Sequence, residues 1–370
     1  MSDKNSNYFN QFSWPEILHL HEDSDWNIKS YHQILCQGDY PSFLDKYIKL
    51  PIMQRLSGVG LLCGSDWTRL FHNRFYYSRL DHSIGVALII WHFTHDKAQT
   101  LAGLFHDLST PTFSHVSDFR KGDALTQTLT EEDNASIIRK DFTLSKLLEE
   151  DGLKVKDVEN YHIYPVADNE IPQLSADRLE YMFPSGAVLE ASWTLDEIEK
   201  TYKDIEVLKN ESNQDELGFK TLEIAEDYCQ KFCMTGHLLQ MNEDKMTLHL
   251  LGQIMNMAVD EGLLKESDFM KLSESQIIEK IDNKGSEKFQ RFYKTFRNME
   301  SILHSDIKMP EDEYFNLSLK VKLRYINPLV KTLSGVKRLN TCSSVSKKII
   351  DDFLNWEDKK FGCVKYYSAK

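Results

Sequence analysis

The sequence predicts a mainly α protein carrying a small α+β appendage at its C-terminal end. Apolar residues recur at spacings of three and four through several long stretches, alternating runs are scarce, and the clearest β-like pieces gather beyond residue 286. With 41% apolar and 27% charged residues, 16 Gly and 9 Pro, the composition is that of a globular chain able to bury a core, not of a disordered or fibrous one.

In order along the chain, residues 1–40, with Trp14, Trp26 and several histidines, read as an irregular lead-in with room for a short strand or hairpin. Pro51 suits the first turn of a helix, because its ring presets φ and its missing N–H is one a helix start leaves unused. Gly58, Gly60 and Gly64 mark a turn. Leu80 to Phe93 and Ala98 to Leu108 are amphipathic and joined by the short polar stretch Thr94 to Gln99, the pattern of an antiparallel helix pair. Ala135 to Leu148 follows, and Asp177 opens a further amphipathic helix after a loop containing Pro172. Thr194 to Glu216 is strongly charged and reads as a solvated helix ending in a loop at Asn210 to Gln214. Tyr228 to Leu264 reads as a long helical stretch whose Met234, Met241, Met246, Met255 and Met257 belong to a core or helix interface. After a polar loop at Asn283 to Lys288, a helix near Phe289 to His304 precedes β-like Ser318 to Ile326 and Phe361 to Tyr367. The expected division is a lead-in (1–40), a helical core (41–285) and an appendage (286–370).

Charge narrows the function. With 44 Lys and Arg against 57 Asp and Glu, the net charge is −13, which opposes a nucleic-acid coat or a polybasic membrane binder; any anionic ligand needs a local counter-charge. No apolar run approaches the roughly 18 residues of a spanning helix, and the start lacks the apolar centre of a signal peptide, so a cytoplasmic location and no membrane partner are expected. The six cysteines form no CxxC pair; Cys229 and Cys233, four apart, fit buried thiols better than ligands. No Walker loop, GxGxxG or GxSxG elbow occurs.

The informative region is Ser78-Arg79-Leu80-Asp81-His82-Ser83-Ile84-Gly85-Val86 with Thr100-Leu101-Ala102-Gly103-Leu104-Phe105-His106-Asp107-Leu108. Antiparallel pairing brings the start of the first helix beside the end of the second, so His82 meets His106 and Asp107. Asp177 is the candidate fourth ligand. Imidazole plus carboxylate suits one divalent transition metal or Mg, that is Mn, Fe, Ni, Co, Zn or Mg. A lone His-Asp pair also fits a histidine capping a helix end, and both readings stand on these residues alone. His92 and His95, about 15 Å along the axis from His82, read as surface or helix-end groups; His72, Tyr76 and Tyr77 fit either the pocket or the core.

These residues, together with Leu50-Pro51-Ile52-Met53-Gln54-Arg55-Leu56, Pro111, Phe113-Ser114-His115 and Asp177-Arg178-Leu179-Glu180-Tyr181, resemble the HD-domain phosphohydrolase superfamily, and within it the deoxynucleoside triphosphate triphosphohydrolase-like branch. The resemblance runs from Leu50 to near Ile281. It implies an HD-domain helical core and a metal held by His82, His106, Asp107 and Asp177. It further implies catalytic roles for His115, Asp107 and Arg79, and substrate contacts from Gln54, Arg79 and Tyr181. Tyr228, Lys231 and His237 fall on a stretch similar to later pocket and oligomer helices. The implied activity is hydrolysis of a nucleotide or related phosphoester through a metal-activated water, in a homo-oligomer and without a nucleic-acid partner. The alternative is a nucleotide-sensing protein of little or no activity.

The departures shape that expectation. Thr110 stands where the family carries the first of two histidines, Glu132-Asp133 where it carries a His-Glu pair ahead of Ser136, and Ser185 where it carries a carboxylate eight positions beyond Asp177. The acidic Glu131 to Asp133 run repels a triphosphate, so a smaller or different phosphoester is expected.

Overall fold

A computed structural model of the chain describes residues 26–125 and 134–368. Trp14 and the Glu131 to Asp133 run lie outside the described residues. The helices are α1 (Ile28–Cys36), α2 (Leu44–Ile48), α3 (Pro51–Gln54), α4 (Arg79–Thr94), α5 (Lys97–Phe105), α6 (Val116–Arg120), α7 (Asn134–Lys140), α8 (Phe142–Glu150), α9 (Ala176–Leu189) and α10 (Leu195–Asp204). The hairpin β1 (Ile205–Lys209) and β2 (Asp215–Phe219) leads to α11 (Leu222–Leu238), α12 (Asn242–Asp260), α13 (Glu274–Ile281) and α14 (Glu287–Asn298). The C-terminal portion adds β3 (Leu303–Ser305), β4 (Tyr314–Leu317), β5 (Leu329–Thr332), β6 (Gly335–Arg338), α15 (Leu339–Cys342), α16 (Ser344–Asn355) and β7 (Phe361–Lys365). The fold is mainly α with a small α+β appendage.

Helix α3 begins on Pro51, and α4 and α5 follow the amphipathic stretches closely, separated by His95 in the left-handed conformation and by Asp96, whose side chain accepts from Ala98 and Gln99 N–H. Two stretches that looked continuous are broken. Asp141 caps the start of α8 by accepting from Leu144 N–H, which ends α7 one residue earlier. Between α11 and α12 the chain turns at Leu239–Met241, and the Asp358 carboxylate accepts from Asn242 N–H at the new helix start. A helix start leaves four N–H groups without internal partners, so a side chain arriving from far along the chain can fix a boundary that local periodicity does not show.

The charged stretch from Thr194 also differs from expectation. Only its first half is helical; the second is an antiparallel hairpin, with Leu208 and Leu217 buried and the Asn210 side chain accepting from the turn's N–H groups. Strand β2 continues into a four-stranded sheet of order β1-β2-β5-β6, the β2–β5 pair being parallel. A second sheet of order β3-β7-β4 is antiparallel and rests on α12. Phe361–Lys365 is therefore a strand as its pattern suggests, whereas 318–326 joins no ladder and runs as an irregular strap.

Two apolar clusters hold the body. The larger gathers α1, α4, α5, α9 and α11 around Tyr31, Phe105, Phe183, Trp193 and Tyr228; the smaller gathers α12 to α14 with the second sheet. Met234, Met241, Met246 and Met255 are buried, as are Cys229 and Cys233, and all six cysteines are unpaired. Among the described residues no helix is long and apolar enough to cross a membrane.

One charged staple ties the appendage to the core. The His304 ring lies between Asp358 (2.7 Å at Nδ1) and Glu243 (2.9 Å at Nε2), joining β3, the segment before β7 and the first turn of α12. Hydrogen bonds to both carboxylates outweigh partial burial and push the imidazole up to about 10. That exceeds the roughly 6.5 of an unfolded chain, so the stabilisation is complete below pH 6.5 and is lost as the pH rises toward 10. The melting temperature of the wild type should therefore fall toward that of His304→Gln between pH 6.5 and 10; parallel curves would refute the staple.

Candidate metal centre

Helix α4 starts on Ser78, whose side chain accepts from Asp81 N–H while the Asp81 carboxylate accepts from Ser78 N–H. This reciprocal cap places Arg79 and His82 three residues apart in the first turns, on one face. His106 ends α5, and the antiparallel packing of α4 on α5 brings it alongside. Asp177 sits in the first turn of α9, which Ser175 caps.

His82, His106, Asp107 and Asp177 converge. His82 Nε2 lies 3.2 Å from His106 Nε2, 3.1 Å from Asp177 Oδ1 and 3.9 Å from Asp107 Oδ2. His106 Nε2 lies 3.6 Å from Asp107 Oδ2 and 3.8 Å from Asp177 Oδ1. Metal bonds of roughly 2.0–2.2 Å to nitrogen and oxygen put neighbouring donors about 3–3.5 Å apart, close to these edges. The tautomers agree: His106 Nδ1 donates to Gly103 O (2.6 Å) and His82 Nδ1 donates to the Glu180 carboxylate, so both rings present Nε2 to one point. Two facing imidazole nitrogens at 3.2 Å need a proton or a cation between them. In the chain alone, burial lowers His82 but is outweighed by the Glu180 and Asp177 carboxylates, which push the ring up to about 10. Burial raises Asp107, yet Arg79 and the two histidines hold it well below the usual carboxylate range. The spacing of His82, His106 and Asp107 fits one divalent cation, and Asp177 Oδ1 lies beside the two histidines as a further donor.

The support around these donors is equally specific. Arg79 Nη1 donates to Asp107 Oδ2 (2.8 Å) and its Nε to Ser114 Oγ (3.0 Å), which in turn donates to Gly60 O. Thr110 donates its hydroxyl to Asp107 Oδ1 (2.7 Å), so the residue standing in a histidine's place orients a carboxylate. Arg55 donates to Leu108 O and Thr110 O, pinning the turn after α5. Glu180, fully buried on α9, receives Tyr77 OH (2.5 Å) as well as His82, and lies so close to α4 that a Cβ on Gly85 would stand 2.4 Å from its Oε1. Sequence reasoning missed Glu180, although its i, i+3 spacing from Asp177 places both on one helix face.

The donors open into a cavity of about 170 Å³ whose wall includes Arg79, His115, Tyr161, Tyr181, Ser185 and Arg324. His115 Nδ1 pairs with buried Asp118 (2.9 Å), and burial lowers its pKa against that pull. Tyr161 covers the His106 ring at 4.9 Å. Gln54 is not brought to the site: its side-chain amide donates to Ile48 O and is exposed. His72 is exposed, Tyr77 serves Glu180, and His95 pairs with Asp39 at the surface. Tyr228 is core, Lys231 pairs with Glu197 over the Trp193 ring, and His237 packs on Trp356. Lys322 and Arg324 of the strap are cavity residues the sequence reading did not single out.

No protein-family model matches the chain. Over 142 residues it is 28% identical to an uncharacterised Bacillus subtilis protein, YdhJ, spanning 37% of this chain and 41% of that one. Over 129 residues it is 29% identical to a Cordyceps militaris protein named metal-dependent phosphohydrolase cns2, spanning 35% and 36%. The chain thus spans about two fifths of the curated relatives it matches. Among solved structures, a hypothetical protein from Aquifex aeolicus superposes with a TM-score of 0.60 at 14% identity, covering 88% of this chain and 92% of that one. A phosphohydrolase from Bacteroides thetaiotaomicron superposes with a TM-score of 0.58 at 12% identity, covering 88% and 96%. The shared fold extends over most of the chain.

Removing the carboxylate behind His82 should loosen the centre. Glu180→Gln is expected to weaken Mn binding about 10- to 100-fold in competition with a chromophoric chelator; unchanged affinity would show that Glu180 plays no part in orienting the ring.

Proposed function

We propose that this chain is an HD-type metal-dependent phosphohydrolase acting on a nucleotide or a related small phosphoester. The observation that carries the reading is the cluster of His82, His106 and Asp107, with Asp177 beside the two histidines, in a cavity that also presents Arg79 and His115. The likeness to a fungal metal-dependent phosphohydrolase and to the fold of a bacterial phosphohydrolase supports it.

A divalent cation held by His82, His106, Asp107 and Asp177 would supply Lewis-acid polarisation of a phosphoryl oxygen and would acidify a water molecule. Arg79, locked between Asp107 and Ser114, presents a fixed positive charge to the phosphate entering the cavity. Asp118 holds Nδ1 of His115 and fixes that ring on the cavity wall, which places the imidazole to hold a phosphate oxygen or, in its protonated form, to give a proton to the departing oxygen. Tyr161 over His106 and Leu61, Phe71 and Leu248 on the wall give the cavity an apolar side, where charges are screened less than in water.

Asp107→Ala should lose both the bound metal, measured by mass spectrometry, and phosphate release from a panel of nucleotides and sugar phosphates with Mn, Mg, Ni and Co. Retained stoichiometric metal with unchanged hydrolysis would overturn the proposal, and metal and nucleotide binding without turnover in the wild type would favour a sensing role. His115→Gln should keep the metal while kcat falls about 100- to 10,000-fold; a fall below threefold would remove His115 from the proton transfer.

A further inference from the structure

Resting on the phosphohydrolase reading, we propose that Glu274, which opens α13, is a positioning residue for Arg79: it holds Gly60 and, through Ser114, fixes the guanidinium that faces the phosphate. Each link is a hydrogen bond. Gly60 N–H donates to Glu274 Oε1 (2.8 Å) and Trp67 Nε1–H donates to Oε2 (2.8 Å). Gly60 O accepts from Ser114 Oγ (3.1 Å), which itself accepts from Arg79 Nε (3.0 Å). Arg79 N–H donates to Val59 O (2.8 Å), so residues 59 and 60 support both its backbone and, by way of Ser114, its side chain.

The approach to α13 also grips the turn that carries Ser114. Thr112 N–H donates to Phe269 O (2.7 Å), and the Thr112 hydroxyl donates to Phe269 O (3.0 Å) and to Leu272 O. A Cβ on Gly58 would stand 2.5 Å from Cβ of Ser273, the residue that caps α13. Residues 269–274 therefore clamp both segments that hold Arg79, 58–61 and 110–114. The residue type at 274 is as informative as its place. Two N–H donors aimed at separate oxygens need an acceptor at each; a carboxylate has both, whereas a glutamine has one and turns its own NH2 toward the second donor. Glu274 is 1% exposed, and burial, with Asp66 nearby, pushes its carboxyl up to about 7 against the pull of Trp67, Gly60 and Arg79. An acid buried at that cost does more than pack α13, a task an apolar side chain would serve better.

Nuclear magnetic resonance on the ligand-free full chain, carrying nitrogen-15 arginine, tests this. The Arg79 Nε–H signal, identified by its loss in Arg79→Lys, is expected to shift in Glu274→Gln in the direction that Ser114→Ala shifts it, and to exchange with solvent about tenfold faster. The two changes should not add in the double variant, because Glu274 acts through the hydroxyl that Ser114→Ala removes. In calorimetry with Mn, Glu274→Gln should weaken orthophosphate about tenfold while Mn affinity changes less than threefold. Should Glu274→Gln fail to fold, as read by thermal melting, Trp67→Phe frees one of the two oxygens, and an Arg79 signal that stays in place there overturns the proposal. So does an unmoved signal in folded Glu274→Gln, full additivity with Ser114→Ala, or a shifted signal beside unchanged orthophosphate affinity. The resonance needs neither ligand nor turnover, so an Arg79 that follows Glu274 in a chain that binds no phosphate and hydrolyses nothing would sink the phosphohydrolase reading alone.

Discussion

The hydrogen bond from His82 Nδ1 to the buried carboxylate of Glu180 is the constraint around which the centre is arranged. It fixes the ring's tautomer and direction, and it joins α4 to α9, which bears Asp177 one turn earlier. A buried carboxylate without such a partner would cost several kcal/mol and would become neutral instead. Tyr77, Tyr31 and Gly85 are arranged accordingly: one hydroxyl on the carboxylate, another on the Glu180 backbone, and a bare backbone where a methyl would collide. The aromatic core beneath α9 is thus continuous with the polar support of the donors.

The helix pair and its His, His-Asp and Asp residues were legible in the sequence because each rests on local rules: a capping box at Ser78, an amphipathic repeat, a short polar connection. What was not legible depends on partners distant in sequence. The end of α11 and start of α12 are set by Asp358, the β1–β2 hairpin by strands more than a hundred residues later, and the direction of Lys322 and Arg324 by anchors in two separate clusters. Gln54 illustrates the converse error. Its place beside a motif suggested a role, yet a four-residue helix points its amide back to Ile48 O, and its neighbour Arg55 does the structural task by binding the turn after α5.

The net charge takes a different meaning once the site is seen. Carboxylates are concentrated where a cation would sit, at Asp107 and Asp177, and are balanced there by Arg79, while Lys322 and Arg324 lie along another part of the same cavity. The polarity that matters to a ligand is this internal one, and the acidic exterior acts only as a weak, salt-screened background.

The strap also has a consequence for the order in which the molecule is completed. During synthesis, His82, His106, Asp107 and Asp177 have all been made by the end of α9, but the part of the cavity wall formed by Val321, Lys322 and Arg324 arrives only with residues 318–327, and its far anchor needs the Pro172 loop already in place. A nascent chain therefore carries those four residues before the cavity around them has its full wall. The maturation of the cavity is thus coupled to emergence of the last part of the polypeptide.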